Sequence, residues 1–188
     1  MNVLRAIVVV GSVMCLLSFS ARDLFSVTLK DAKNQSFSFS QLRSNKASVL
    51  VFLSPECPLC QSYSLTLNQL EKDFQDRGVR FYGIVPDASF SNAVVNSYAE
   101  QYQMRMPMLR DNQREVTGLL AAKVTPEVVV VNSQGTVVYQ GRIDNWAYEL
   151  GKKRRVITEH NLKDALTAIV SNKSIAVKKT KAIGCFIE

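Results

Sequence analysis

The sequence predicts an α/β fold in which a central mixed β-sheet is flanked by helices, with an N-terminal β-hairpin and a C-terminal helix plus tail. Two observations carry this. Ala47 to Leu53 (ASVLVFL) and Val79 to Val85 (VRFYGIV) are apolar runs rich in β-branched residues, as strands buried on both faces require. Between and after them apolar residues recur at helical spacing, which sets a β-α-β-α order. The 188 residues suit one domain, and 47% hydrophobic against 21% charged residues supply a real core and exclude a disordered chain.

Taken in order, Phe25 to Leu29, a polar turn at Asp31 to Asn34 and the alternating Ser36 to Ser40 read as the hairpin. The strand from Ala47 delivers the chain to Cys57-Pro58-Leu59-Cys60. From Pro58 to about Arg77 a helix is expected, with Tyr63, Leu67, Leu70 and Phe74 on one face and Gly78 as its stop. Ser89 to Tyr102 is a second amphipathic helix, and Asn112 to Ala122 a short one. Val124, Thr125 and Pro126 introduce a strand from Glu127 to Val131, and a turn at Ser133 to Gly135 returns the chain as an antiparallel strand from Thr136 to Arg142. A terminal helix, capped near Thr158, turns Leu162, Ala165, Leu166 and Ile169 inward. The tail from Ser171 to Glu188 has no period.

Residues 1–20 have the layout of a signal peptide: Arg5, the uncharged run Ala6 to Phe19, then Ser18-Phe19-Ser20 ahead of Ala21. An uncleaved anchor is the alternative reading of the same segment. The expected division is therefore 1–20 signal, 21–170 folded domain and 171–188 tail, in an exported, periplasmic protein. The net charge of +7 sits largely in Lys152 to Arg155 and in Lys173, Lys178, Lys179 and Lys181. Solvated faces explain these runs, and association with a membrane surface is a second reading. Nucleic acid is excluded as a partner, because no aromatic residues interleave the basic ones and export removes the chain from it.

Losing the signal removes Cys15 and leaves Cys57, Cys60 and Cys185, one CxxC pair and one odd thiol. Cys57 falls where a helix begins, and unpaired N–H groups and the helix dipole favour a thiolate there. Pro58 suits the first turn, having no N–H to waste. Cys60, one turn on and more buried, can close a disulfide. Cys57 is thus the attacking sulfur, exposed to substrate, and Cys60 the resolving one. No cofactor and no metal site is expected: a structural zinc would want a second ligand pair, and only Cys185 and His160 remain. His160 reads as a surface residue. Cys185 stays open between a third redox thiol, a metal ligand joining Cys57 and Cys60, and a small apolar residue under the tail.

At these residues the chain resembles the thioredoxin-like superfamily, in its redoxin branch of thiol-specific antioxidant and alkyl hydroperoxide reductase proteins. VLVFLSPECPLC matches the active-site segment, GIVPD the next strand end, VTPEVVVVNSQG the strand entered through a proline, and VVYQGRID the closing hairpin. The ending TKAIGC, Thr180 to Cys185, is similar to an exported bacterial subgroup with a T-x-x-x-G-C terminus. The resemblance implies a thioredoxin-like fold, a cis-Pro126 packed against the redox pair, and Thr125 offering its backbone to a substrate strand. It implies thiol–disulfide oxidoreductase activity toward other exported proteins, supplied by an upstream redox partner; a monomer is expected. Two departures stand out. Glu56 replaces the tryptophan that precedes the first cysteine in thioredoxin, and its charge is expected to weaken the Cys57 thiolate, which favours a reductive role. No buried acid lies among Val49, Leu50 and Val51. A peroxidase is the nearest alternative, with Ser54 at the hydroxyl position of the peroxiredoxin loop but Leu50 in place of its proline; Arg142 is the candidate cation, although support of the hairpin explains it as well. A copper- or zinc-handling module is the other. Asp144 and Trp146 read as parts of the hairpin exit, Trp146 close enough to flank the site.

Overall fold

The computed structural model describes residues 23–188, so the expected signal segment lies outside the described residues. Fifteen elements follow in order: β1 (Thr28–Asp31), β2 (Ser36–Ser38), β3 (Ala47–Phe52), α1 (Pro58–Phe74), β4 (Val79–Val85), α2 (Asn92–Gln101), β5 (Met108–Arg110), α3 (Glu115–Leu119), β6 (Val124–Thr125), β7 (Glu127–Asn132), β8 (Val137–Gly141), β9 (Ala147–Glu149), β10 (Lys152–Lys153), α4 (Asn161–Val170) and β11 (Cys185–Phe186). Seven strands form one sheet in the order β2-β1-β5-β4-β3-β7-β8. Its centre, β5-β4-β3, is parallel, and β7, β8 and β1 extend it antiparallel, which makes the sheet mixed. Among the described residues no helix is long and apolar enough to cross a membrane.

β3 is buried at every residue, and its alternating side chains feed two separate cores. Val49 and Val51 face α1, α2 and α4 through Tyr63, Leu67, Phe74, Val95 and Leu166. Leu50 and Phe52 face the opposite layer, built from Phe25, Phe39, Leu42, Val116 and Val129. Each such side chain contributes roughly 1.5–3 kcal/mol by leaving water, so this double burial fixes the strand that ends at the CPLC segment.

Several sequence expectations shift. The hairpin is present but shorter, because Phe25 and Phe39 lie in 3-10 turns: Asp23 accepts the Phe25 N–H at 3.2 Å, and the Ser38 hydroxyl serves Ser40 in the same way. α2 starts at Asn92 instead of Ser89, since Ser91 is the residue that caps it, accepting the Val94 N–H. α4 is not capped by Thr158. That hydroxyl accepts from Asn145 Nδ2 at 2.7 Å, and His160, exposed, takes the cap position without a side-chain bond. Four strands were not anticipated. β5 is only three residues long and enters from Pro107, the β9–β10 hairpin turns through Gly151 on a mostly exposed stretch with no apolar alternation, and β11 lies in the tail.

The tail is ordered along the sheet edge despite its lack of period. Gln140 N–H donates to Lys178 O and Thr180 N–H to Gln140 O, both at 3.0 Å. The Thr180 hydroxyl accepts from Arg142 N–H at 3.0 Å and bonds the Tyr139 hydroxyl at 2.8 Å. Gly141, at φ 145, leaves room for this approach, because a Cβ there would collide with Thr180.

Candidate active site

Strand β3 ends against α1, and Cys57 is the N-cap residue of that helix, with Pro58 at its first position and Cys57 N–H donating to Ser54 O at 3.2 Å. Cys60 lies inside the first turn and is fully buried. Across from them β6 runs into a cis Thr125–Pro126 peptide, the isomer the resemblance implies. The Cys57 thiol donates to Thr125 O at 3.0 Å, so the backbone ahead of Pro126 touches the redox pair directly. Glu127, buried behind it, accepts from Lys123 N–H at 2.9 Å and from Gln140 Nε2 at 2.9 Å, which holds the loop that carries Thr125.

The third cysteine completes the site. β11 pairs antiparallel with β6, Cys185 opposite Thr125 and Phe186 opposite Val124. The Cys185 sulfur comes within 2.6 Å of the Cys57 sulfur, and all three thiols are free. Gly184 makes the approach possible, as a Cβ there would overlap the Thr125 carbonyl. Cys57 is consequently 2% exposed, not open to solvent as expected, because the tail's sulfur lies against it. Cys185 itself is half-buried. The sequence signal for this was the TKAIGC ending, whose Thr and Gly are the two residues that pin the tail to β8 and β6.

Electrostatics separate the three sulfurs. Cys57 is drawn down to about 4, first by the hydrogen bond from the Cys60 thiol and then, against the cost of burial, by the one from Cys185. Burial pushes Cys60 well up, and donation to Cys57 adds to it. Cys185 rises to about 11 for the same two reasons. The weak thiolate expected from Glu56 is therefore overturned: Glu56 points to solvent, while two thiols supply the anion with donors.

Tyr98 and Tyr63, which the sequence marked only as helix-face residues, also gather here, beside Asp144 and Trp146. Tyr98 of α2 is buried, with no hydrogen-bond partner for its hydroxyl among the described residues, and burial followed by the Cys60 and Cys57 charges pushes its ionisation well up. Tyr63 donates to Asp144 at 2.7 Å, and Asp144 accepts the Trp146 N–H at 2.8 Å, which places Trp146 edge-on to Tyr63. Beside the sulfurs, Pro58, Leu59, Trp146, Leu150, Lys153 and Cys185 line a cavity of about 380 Å³. Trp146 thus flanks the site as well as supporting the hairpin exit. Arg142 points elsewhere, bonding Asn161 at 2.8 Å and Glu159 at 2.7 Å. Among the described residues no group of three or more His, Cys, Asp or Glu side chains is arranged to hold a metal ion.

The sequence profile of the AhpC/TSA family matches residues 21–140, well over half the chain. The chain belongs to the AhpC/TSA family. It is an oxidoreductase with a thioredoxin-like fold. No curated protein matches it. Solved structures do: a hypothetical protein from Sinorhizobium meliloti at 23% identity and TM-score 0.77, covering 89% of this chain and 91% of that one, and an uncharacterized conserved protein from Geobacillus kaustophilus at 21% and 0.76, covering 89% and 90%. A secreted Mycobacterium tuberculosis disulfide oxidoreductase is similar at 20% identity and TM-score 0.56, covering 79% of this chain and 96% of that one. At these identities the likeness is one of fold.

Proposed function

We propose that this AhpC/TSA-family protein is an exported thiol–disulfide oxidoreductase in which Cys57 attacks and Cys60 resolves, acting on disulfides of other exported proteins and served by an upstream redox partner. The observation that carries the reading is a cysteine sulfur at the start of α1, with a buried thiol in the next turn that draws its pKa down and the β6 backbone within 3.0 Å. Such an arrangement needs nothing further for exchange: the anion enters a substrate disulfide, and the neighbouring thiol displaces the product. Thr125 offers the edge along which a substrate strand would lie. The secreted mycobacterial oxidoreductase and the leader-like residues 1–20 support export.

Stabilising the Cys57 anion stabilises the reduced protein, and a couple stabilised in that form is more oxidising. Reversible exchange with a partner's disulfide is thus favoured over one-way reductive maintenance. Peroxide chemistry is less well served, since Arg142 is bonded away from Cys57 and Ser54 meets Cys57 through its carbonyl. Two measurements test the proposal. Cys60→Ser/Cys185→Ser protein, which keeps no second thiol to release the product, should accumulate mixed disulfides with exported proteins and Cys57→Ser none, and the equilibrium with glutathione should give a potential well above thioredoxin's about −270 mV. A Cys57→Ser protein that still exchanges disulfides would falsify the assignment, and a potential at or below thioredoxin's would restore the reductive role.

A further inference from the structure

The tail reaches the redox pair by a defined route. Thr180 fastens it to β8, Gly184 lets its backbone pass over Thr125, and β11 then takes the hydrogen-bonding edge of β6 immediately ahead of Pro126. That edge is where an incoming strand is expected to lie. The residue opposite Thr125 in this pairing is a cysteine, and its sulfur is 2.6 Å from the attacking one. We propose that Gly184–Phe186 is a tethered substrate strand and that Cys185 is a second resolving thiol, so that Cys57 forms a disulfide with Cys185 in alternation with Cys60. The proposal rests on Cys57 being the attacking sulfur.

The chemistry balances with a substrate disulfide as the oxidant. When the tail steps aside, the Cys57 anion attacks one sulfur of that disulfide; the S–S bond breaks, and the other sulfur leaves as a thiolate and takes up a proton. As the tail returns, Cys185, having given up its proton, attacks the Cys57 sulfur of the mixed disulfide. A Cys57–Cys185 bond forms, the second substrate sulfur leaves, and the two electrons of the Cys57/Cys185 pair have passed to the substrate. The Cys60 thiolate can then attack Cys57, which releases Cys185 and moves the bridge into the CPLC pair with no net electron transfer. Cys60 is fully buried whereas Cys185 is half-buried, so Cys185 is the thiol nearer an external molecule.

Oxidised glutathione serves as the probe, added to dilute reduced protein spanning residues 21–188 and followed by intact mass and peptide mapping. In Cys60→Ser protein the expected product has lost two hydrogens, retains no glutathione and yields a Cys57–Cys185 cross-linked peptide. The Cys60→Ser/Cys185→Ser protein should keep one glutathione on Cys57. A Cys60→Ser protein that keeps its glutathione as fully as the double variant overturns the proposal and leaves the exchange reading intact. A double variant that takes up none overturns both. Gly184→Ala in the Cys60→Ser background keeps all the sulfurs but pushes the tail off Thr125. It should slow internal bond formation about tenfold by lowering the effective concentration of Cys185, and an unchanged rate overturns the tethered-strand assignment.

Discussion

Acidity at Cys57 comes from its sulfur neighbours more than from the helix end, and that makes it separable by mutation. In the reduced protein the thiolate absorbance of Cys57 should titrate near about pH 4, and Cys60→Ala should raise the midpoint by removing the first donor. A folded value below the ordinary 9.0 contributes stability that is complete above that value and is lost as pH falls through about 4, so the reduced protein should lose stability on acidification and a Cys57→Ser variant should lose less. Urea midpoints of the two at several pH values measure this. Tyr63 is the second residue to test. Tyr63→Phe leaves buried Asp144 without its hydroxyl donor and should cost about 1–3 kcal/mol, read from the same midpoints, while the three thiols stay in place.

Elements that bury a continuous face were legible, and elements defined by a distant partner were not. β4 occupies the residues its apolar run marks, and β3 and α1 end within a few residues of theirs, because the pattern that drives burial is local to the segment. The redox pair was legible for the same reason, being a junction of two such elements. The tail offered no period. Its order arises from Thr180 meeting Tyr139 and Gly184 meeting Thr125, contacts that only the finished sheet creates. The burial of Cys57 and the strength of its anion went unforeseen with it, since both depend on Cys185. Thr180→Val tests the anchoring: it leaves Arg142 N–H without an acceptor and removes a partner of the Tyr139 hydroxyl. Amide exchange should quicken from Lys178 to Phe186, with stability falling by about 1–3 kcal/mol.

At the scale of the molecule, one sheet separates two cores, and the site sits where the central strand leaves both. Phe52 is fully buried on the side away from α1, where it fills the face built from Phe39 and Leu42. Phe52→Ala should cost about 3–5 kcal/mol in thermal or urea unfolding, with the CPLC pair still able to form its bridge in whatever fraction stays folded. The connection between Cys57 and Cys185 has a consequence in time. They stand 128 positions apart along the chain, whereas Cys60 is a near neighbour of Cys57. Ring closure in an uncollapsed polypeptide strongly favours the short span. During synthesis and early collapse the CPLC bridge is the one within reach; the long-span bridge becomes accessible only after the sheet has assembled, and its presence in a sample is a chemical record that folding has been completed.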